Sequence, residues 1–340
     1  MFKPSHFLVT TLCAAALTVA TPARAQFAKS GDAYYVSADH TLSTDISGND
    51  VIMGRTADES YVPGTVTLTI TNGAKVTGTK KGTLLKGYNV GPGVYLFGTH
   101  RVNVTGGSVD KIGSSQGSDI NISGGNVGFI SAGGALHISG GNVDSVNPSV
   151  DSTTNISGGN IKQVAAMKYS IMNISGGNFN GVTSYEAAVV NISGGTIKYV
   201  SSQGYKTIRI TGGTVEYASG RKTAILAIGG GTVTSARGMD ESKTIMSGGV
   251  LPNGFELHTP QATLDIVGTN LSYIYKGYAK NKFYGADADC FAVTGTFGRV
   301  AKTINVYIRT TDWKNGGANG TARQFTFNGG APVAANETRK

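Results

Sequence analysis

The sequence predicts an all-β chain: a single-chain parallel β-solenoid of 18-residue coils, right-handed, followed by a small antiparallel β-module. Two observations predict it. The first is a glycine pair whose first members are Gly106, Gly124, Gly140, Gly158, Gly176, Gly194, Gly212, Gly230 and Gly248, stepping by 18 residues every time except one step of 16. A fixed short period marks one structural unit stacked on itself. The second is the phase of the apolar residues between those glycines. Counting from the first glycine, position four carries Val109, Val127, Val143, Ile161, Phe179, Ile197, Val215 and Val233, and position seven runs from Ile112 to Ala236. Position seventeen is Ile122, Ile138, Ile156, Ile174, Ile192, Ile210, Ile228 and Met246. Position fifteen is apolar too, apart from Thr154 and Thr244.

Positions fifteen and seventeen alternate with polar sixteen and eighteen, the period-two pattern of a strand with one buried face. The glycine pair then turns the chain, and positions four and seven return to the interior. Two glycines per coil and the lack of a stripe at three- and four-residue spacing exclude a helix. A coil this short cannot bury its own apolar face. Stacked coils can, each about 4.8 Å from the next, so the nine glycine-pair units predict a rod of roughly 43 Å. The left-handed pattern, apolar every sixth residue, is absent, which favours a right-handed coil.

The segments divide in order. Residues 1–25 read as a secretory signal peptide: Lys3, the apolar run from Phe7 to Ala20, and Ala23-Arg24-Ala25 as a small-x-small cleavage site before Gln26. Residues 26–100 read as an N-terminal cap with irregular coils, with strands at Thr65–Ile70 and Val94–Phe97. Residues 101–255 are the regular solenoid. Residues 256–330 read as the C-terminal β-module, with strands at Thr263–Val267, Ser272–Tyr275, Phe291–Val293, Thr303–Arg309 and Gln324–Phe327. Residues 331–340 read as a disordered tail.

Composition narrows the function classes. Glycine makes up 50 of 340 residues, but at a fixed phase, which marks corners rather than a flexible linker. The export signal predicts a secreted or cell-surface location, or the periplasm, and no segment after the signal is long and apolar enough to span a membrane. Removal of Cys13 with the signal leaves Cys290 alone, so no internal disulfide is expected. Loss of Lys3 and Arg24 lowers the formal charge from +9 to +7, a sign that suits an acidic polysaccharide or the cell envelope. No helix-turn-helix, zinc-finger or RRM pattern points to nucleic acid. No cofactor or metal motif is present; Asp287 and Asp289 read as a solvated turn, with calcium the alternative.

The motif Ser123-Gly124-Gly125-Asn126-Val127 and its returns at Ser139, Ser157 and Ser175 resemble the Ser-Gly-Gly-x-Val repeats of bacterial secreted β-solenoid proteins, autotransporter passengers and adhesins among them. The resemblance covers about residues 101–255. It implies a repeat rod at the cell exterior and is silent on activity. The C-terminal membrane barrel of autotransporters has no counterpart in the residues up to Lys340.

Two candidate features follow. Asn103, Asn121, Asn155, Asn173 and Asn191 share position sixteen and read as a stabilising polar ladder. A basic and aromatic zone holds Lys198, Tyr199, Arg209, Tyr217 and Arg221, continued by Tyr275, Lys276, Tyr278, Lys280 and Lys282. Tyrosine faces stack on sugar rings while cations attract uronate or phosphate, so these ten residues are the candidate glycan-binding set. No two carboxylates share a phase on neighbouring regular coils, and His100, His137 and His258 are scattered, so no catalytic dyad is read. The leading expectation is a secreted, non-enzymatic structural or adhesive protein. The alternatives are a β-helix polysaccharide lyase or hydrolase, and a filament subunit that self-associates through exposed solenoid ends.

Overall fold

The computed structural model describes residues 27–79, 83–85, 88–90, 93–259, 261–280, 285, 287–309 and 325–330. Among these every regular element is a strand. The signal segment 1–25 and the tail 331–340 lie outside the described residues.

Each regular coil contributes two strands. In the coil opening at Gly158 these are Asn160–Ala166 and Ile171–Ile174. Each pairs in parallel with its equivalent in the next coil, in register: Ile161 with Phe179, Val164 with Val182, Asn173 with Asn191, Ile174 with Ile192. The result is two ladders facing each other. The shorter contains 13 strands, from His40–Leu42 to Phe325–Phe327, which at ~4.8 Å per step makes a stack of roughly 58 Å. The longer strands bend, because positions four and seven both face inward with two outward residues between them. Thus Val127 and Ile130 are buried while Gly128 and Phe129 are not.

The interior is dry and layered. Ile156, Ile174 and Ile192 are each 1% exposed and lie in one in-register column. Two rows meet them from the opposite ladder, Val143–Ile161–Phe179 and Val146–Val164–Val182. β-branched side chains fit such columns because they pack well against neighbours on a pleated surface. Two threonines interrupt position fifteen. The hydroxyls of Thr154 and Thr244 are buried with no hydrogen-bond partner.

The Gly-Gly corner has two separate causes. A Cβ on Gly158 would lie 2.3 Å from the Ser139 carbonyl oxygen of the preceding coil, so the first glycine permits close stacking. Gly159 has φ +89°, a left-handed conformation that side chains rarely adopt, so the second glycine permits the turn. The corner is then fastened by Ser157 N–H to the Ile138 carbonyl at 2.8 Å and Asn160 N–H to the Gly141 carbonyl at 2.9 Å. The 16-residue step is a shortened corner on the other side of the coil. There Gly133-Gly134 crosses directly against Ser115 and Ser118, where neighbouring coils carry a longer turn.

The ends depart from the period without leaving the stack. At the N-terminus, Ala33–Val36 pairs in parallel with Asp50–Met53, and Val51 with Val94, so the irregular coils are true rungs. The strand Phe27–Ser30 folds antiparallel onto Ala33–Val36. Asp50, fully buried, accepts hydrogen bonds from Thr79 N–H, Thr79 Oγ1 and Gly93 N–H and so ties Thr79 and Gly93 to the rod.

At the C-terminus the antiparallel module is present: Thr269–Lys280, Asp287–Phe297 and Val300–Arg309 form a meander. Two strands assigned to it from the sequence are instead rungs of the short ladder. Thr263–Ile266 pairs in parallel with Lys243–Met246, and Phe325–Phe327 with Thr263–Ile266. The period is hidden because the turn around Leu251-Pro252-Asn253-Gly254 lengthens the coil, yet Phe255 still stacks on Ala236 and Val306 on Phe255. Phe291, Phe297 and Val306 join the same hydrophobic core as the regular coils.

Candidate binding surfaces

The outer face of the long ladder brings part of the candidate set together. Tyr199 and Tyr217 are in-register neighbours, their ring centroids 5.9 Å apart and edge to face. Tyr199 is 47% exposed, Tyr217 is half-buried, and exposed Lys198 stands beside Tyr199. Nothing in the interior requires a tyrosine here, since the equivalent outward positions hold Ser145, Gln163 and Gly181. Nearer the N-terminus the same row holds Lys111, whose ammonium lies 5.6 Å from both the Tyr95 and Phe129 ring centroids.

Beside this row runs a shallow groove of about 580 Å³. One wall is a second asparagine ladder that the sequence reading passed over, at position three. Asn142 donates to Asn126 Oδ1 at 2.9 Å, Asn160 to Asn142 at 3.0 Å, and Asn178 to Asn160 at 3.0 Å. The other wall carries Asp144 and Lys162, paired at 2.6 Å, and ends at Lys198. A carboxamide has two donor hydrogens and two acceptor lone pairs, and the ladder uses one of each from an asparagine in mid-row. The remaining pair recurs once per coil along the groove. The ladder at position sixteen forms as expected, with Asn173 donating to Asn155 at 2.9 Å and Asn191 to Asn173 at 3.0 Å.

The rest of the candidate set is dispersed. Arg209 is exposed on the outer face of the short ladder, in register with Asn191. Arg221 sits at the corner between the long strand of its coil and the next short one. Tyr275 is a prop: its hydroxyl donates to Asp289 at 2.6 Å and its ring packs 5.2 Å from Phe291. Lys276 and Lys280 are exposed on the same strand, which also carries Tyr278, while Lys282 lies outside the described residues. Asp289 is 8% exposed within a strand, so it does not belong to the solvated turn expected for it. Asp287 begins that same strand.

Two groupings escaped the sequence reading. Arg237 donates from Nε and Nη2 to Glu256 Oε2 at 2.8 and 2.7 Å, and His258 Nδ1 lies 3.3 Å from Glu256 Oε1. Glu256 is 1% exposed. The lengthened coil shifts the phase by one residue and so conceals that Arg237 and Glu256 are in-register neighbours. Tyr307 and then Cys290 continue the row. Burial pushes the Cys290 thiol up, outweighing the contact with Tyr307 and the charge of Lys276, so the sulfur is held as a thiol rather than a nucleophilic thiolate. The second grouping is a set of tyrosines at the corner that carries Arg221: Tyr169, Tyr185 and Tyr205. Their signal in the sequence is an aromatic side chain at turn positions that other coils fill with residues such as Gly117, Ser149, Asp151 and Thr223.

No protein-family model, curated protein or solved structure matches this chain. What defines the protein is therefore its own geometry, which places it in the class of parallel β-solenoids of about 12 turns.

Proposed function

We propose that this chain is a secreted or cell-surface, non-enzymatic structural or adhesive protein that binds acidic glycans along the side of its rod. The observation that carries the reading is the Tyr199–Tyr217 pair with Lys198 at the end of the asparagine-walled groove. Aromatic rings offer stacking faces, unspent carboxamide groups offer hydrogen bonds at one-coil intervals, and lysine supplies the charge. A repetitive rod matches a repetitive ligand because each added coil repeats the contact, so affinity grows by avidity. The leader sequence and the charge of +7 after its removal support export and an anionic partner. Affinity electrophoresis in gels containing polygalacturonate, alginate or a neutral dextran tests it. The acidic gels should retard the wild type, and Lys198→Ala/Tyr199→Ala/Tyr217→Ala should run closer to its free mobility.

One observation favours a second reading, a polysaccharide-cleaving enzyme. His258 is backed by the buried Glu256 carboxylate, the arrangement that orients an imidazole for proton transfer. Incubation of the protein with the same polysaccharides, followed by reducing-end and unsaturated-uronate assays, separates the two. Depolymerisation that His258→Ala abolishes would establish the enzyme.

A further inference from the structure

Among the described residues, six of the twelve exposed large apolar side chains gather at one corner of the rod. Val150, Met167, Tyr169, Ile171, Tyr185 and Tyr205 are 36–69% exposed and all fall at one corner of four consecutive coils, a strip about 14 Å long. Three features show that this corner departs from the requirements of the fold. Tyr169 has φ +54° and is 63% exposed. A left-handed backbone favours Gly, Asn or Asp, and in two other coils Gly117 and Asp151 take that turn position, so an exposed tyrosine gains nothing for stability there. The two coils after it extend their long strands by two residues, pairing Tyr185 with Gln203 and Glu186 with Gly204, so the corner is built out as a small ledge. Lys206 is exposed at a position that buries Ser118, Ser152, Ser170, Ala188, Ala224 or Ser242 in other coils.

The rim is basic. Residues 158–229 contain seven Lys or Arg against two Glu, and at this corner Lys168, Lys206, Arg221 and Lys222 are exposed against two exposed acids, Asp151 and Glu186. We infer that the Tyr169–Tyr185–Tyr205 corner is a binding strip for an acidic polysaccharide chain lying along the rod axis, sugar rings on the tyrosines and carboxylates or sulfates on the lysines. This rests on the glycan-binding reading above and adds a second strip, at a corner rather than on the lateral face. A second copy of this chain fits less well. Two such corners would oppose like charges, and six half-exposed side chains supply on the order of 600 Å², short of the ~800 Å² per partner of a standard interface. Because the side chains are exposed, removing them leaves the core intact.

The test compares three proteins on polygalacturonate by affinity electrophoresis and calorimetry: wild type, a corner variant (Tyr169→Asn/Tyr185→Ser/Tyr205→Ser) and a lateral variant (Tyr199→Ser/Tyr217→Ser). The corner variant should bind at least tenfold more weakly with an unchanged or higher melting temperature. Lys168→Gln/Lys206→Gln should weaken binding and flatten its salt dependence. A corner variant that binds as wild type while the lateral variant loses affinity would overturn the corner strip and leave the glycan reading standing. A wild type bound by no acidic polysaccharide would overturn both. A wild-type dimer in sedimentation that the corner variant abolishes, without glycan binding, would assign the strip to a second copy.

Discussion

The carboxamide of Asn173 donates to Asn155 Oδ1 across 2.9 Å, and Asn173 Oδ1 in turn accepts from Asn191. Asn173 is thereby both donor and acceptor, in register with the isoleucine column beneath. Asn173→Ala removes two part-buried hydrogen bonds and should cost about 1–2 kcal/mol. Asn173→Asp keeps the acceptor but sets a carboxylate against Asn155 Oδ1, so its penalty should be larger at pH 7 than at pH 3. Urea denaturation at both pH values, each referred to the wild type, measures the difference.

Position fifteen contains an error of the opposite kind. Thr154 lies between Leu136 and Met172 with its hydroxyl buried and unpartnered. Thr154→Val keeps the volume and removes the unsatisfied group, so it should stabilise the rod by about 1 kcal/mol or more. Thr244→Val should do the same, and the two should add because they lie five coils apart. Chemical denaturation of the singles and the double checks both statements.

The corner glycines separate into required and dispensable. Gly158→Ala drives a Cβ into the Ser139 carbonyl and should cost on the order of 2–4 kcal/mol. Gly229 has no such constraint: its added Cβ would meet nothing nearer than Ser247 Oγ at 3.6 Å. It occupies position eighteen, where the equivalent residues are Ser or Thr. Gly229→Ser should therefore be neutral or stabilising in a thermal melt.

Glu256 and Arg237 are both nearly dry, at 1% and 8% exposure. Glu256→Leu takes away the buried carboxylate that faces Arg237 and should destabilise by about 3–5 kcal/mol. Adding Arg237→Met to it should recover most of that loss. A double-mutant cycle by denaturation tests the coupling.

His100 gives the rod a pH dependence. Its ring is 2% exposed, and Nδ1 accepts the Val66 N–H at 3.1 Å, a bond only the unprotonated nitrogen can make. Burial holds its pKa below the ordinary histidine value, and burial does the same for His40, stacked 4.2 Å from Phe27. Both are favoured neutral when folded, so the unfolded chain binds more protons as pH falls. Their contribution is complete above the unfolded pKa of about 6.5, declines below it, and levels off once the pH is below the folded pKa. His100→Gln should flatten this part of the stability profile.

The sequence carried the rod itself, because every coil repeats one set of inward positions and the Gly-Gly corner has fixed steric causes. Where a coil changes length the phase is lost: Phe255 stacks on Ala236 and Thr263–Ile266 on Lys243–Met246, yet neither follows from counting eighteen. The same slip concealed the Arg237–Glu256 pair. Within the candidate glycan set, the adjacency of Tyr199 and Tyr217 was legible because one phase on adjacent coils means adjacency in space. Arg209 and Arg221 were grouped with them by proximity along the chain, which in a coil of two ladders and several corners does not mean a shared face.

The central claim is that each winding obtains its dry interior from the windings on either side. Methyl–methyl NOE spectroscopy of the protein labelled at isoleucine δ1 carbons tests it directly. The account predicts contacts from Ile156 to Ile174 and from Ile174 to Ile192, continuing stepwise through Ile210 to Ile228, and none from Ile156 to Ile192, two steps or roughly 9.6 Å apart. Missing sequential contacts, or a direct contact that skips a coil, would contradict it.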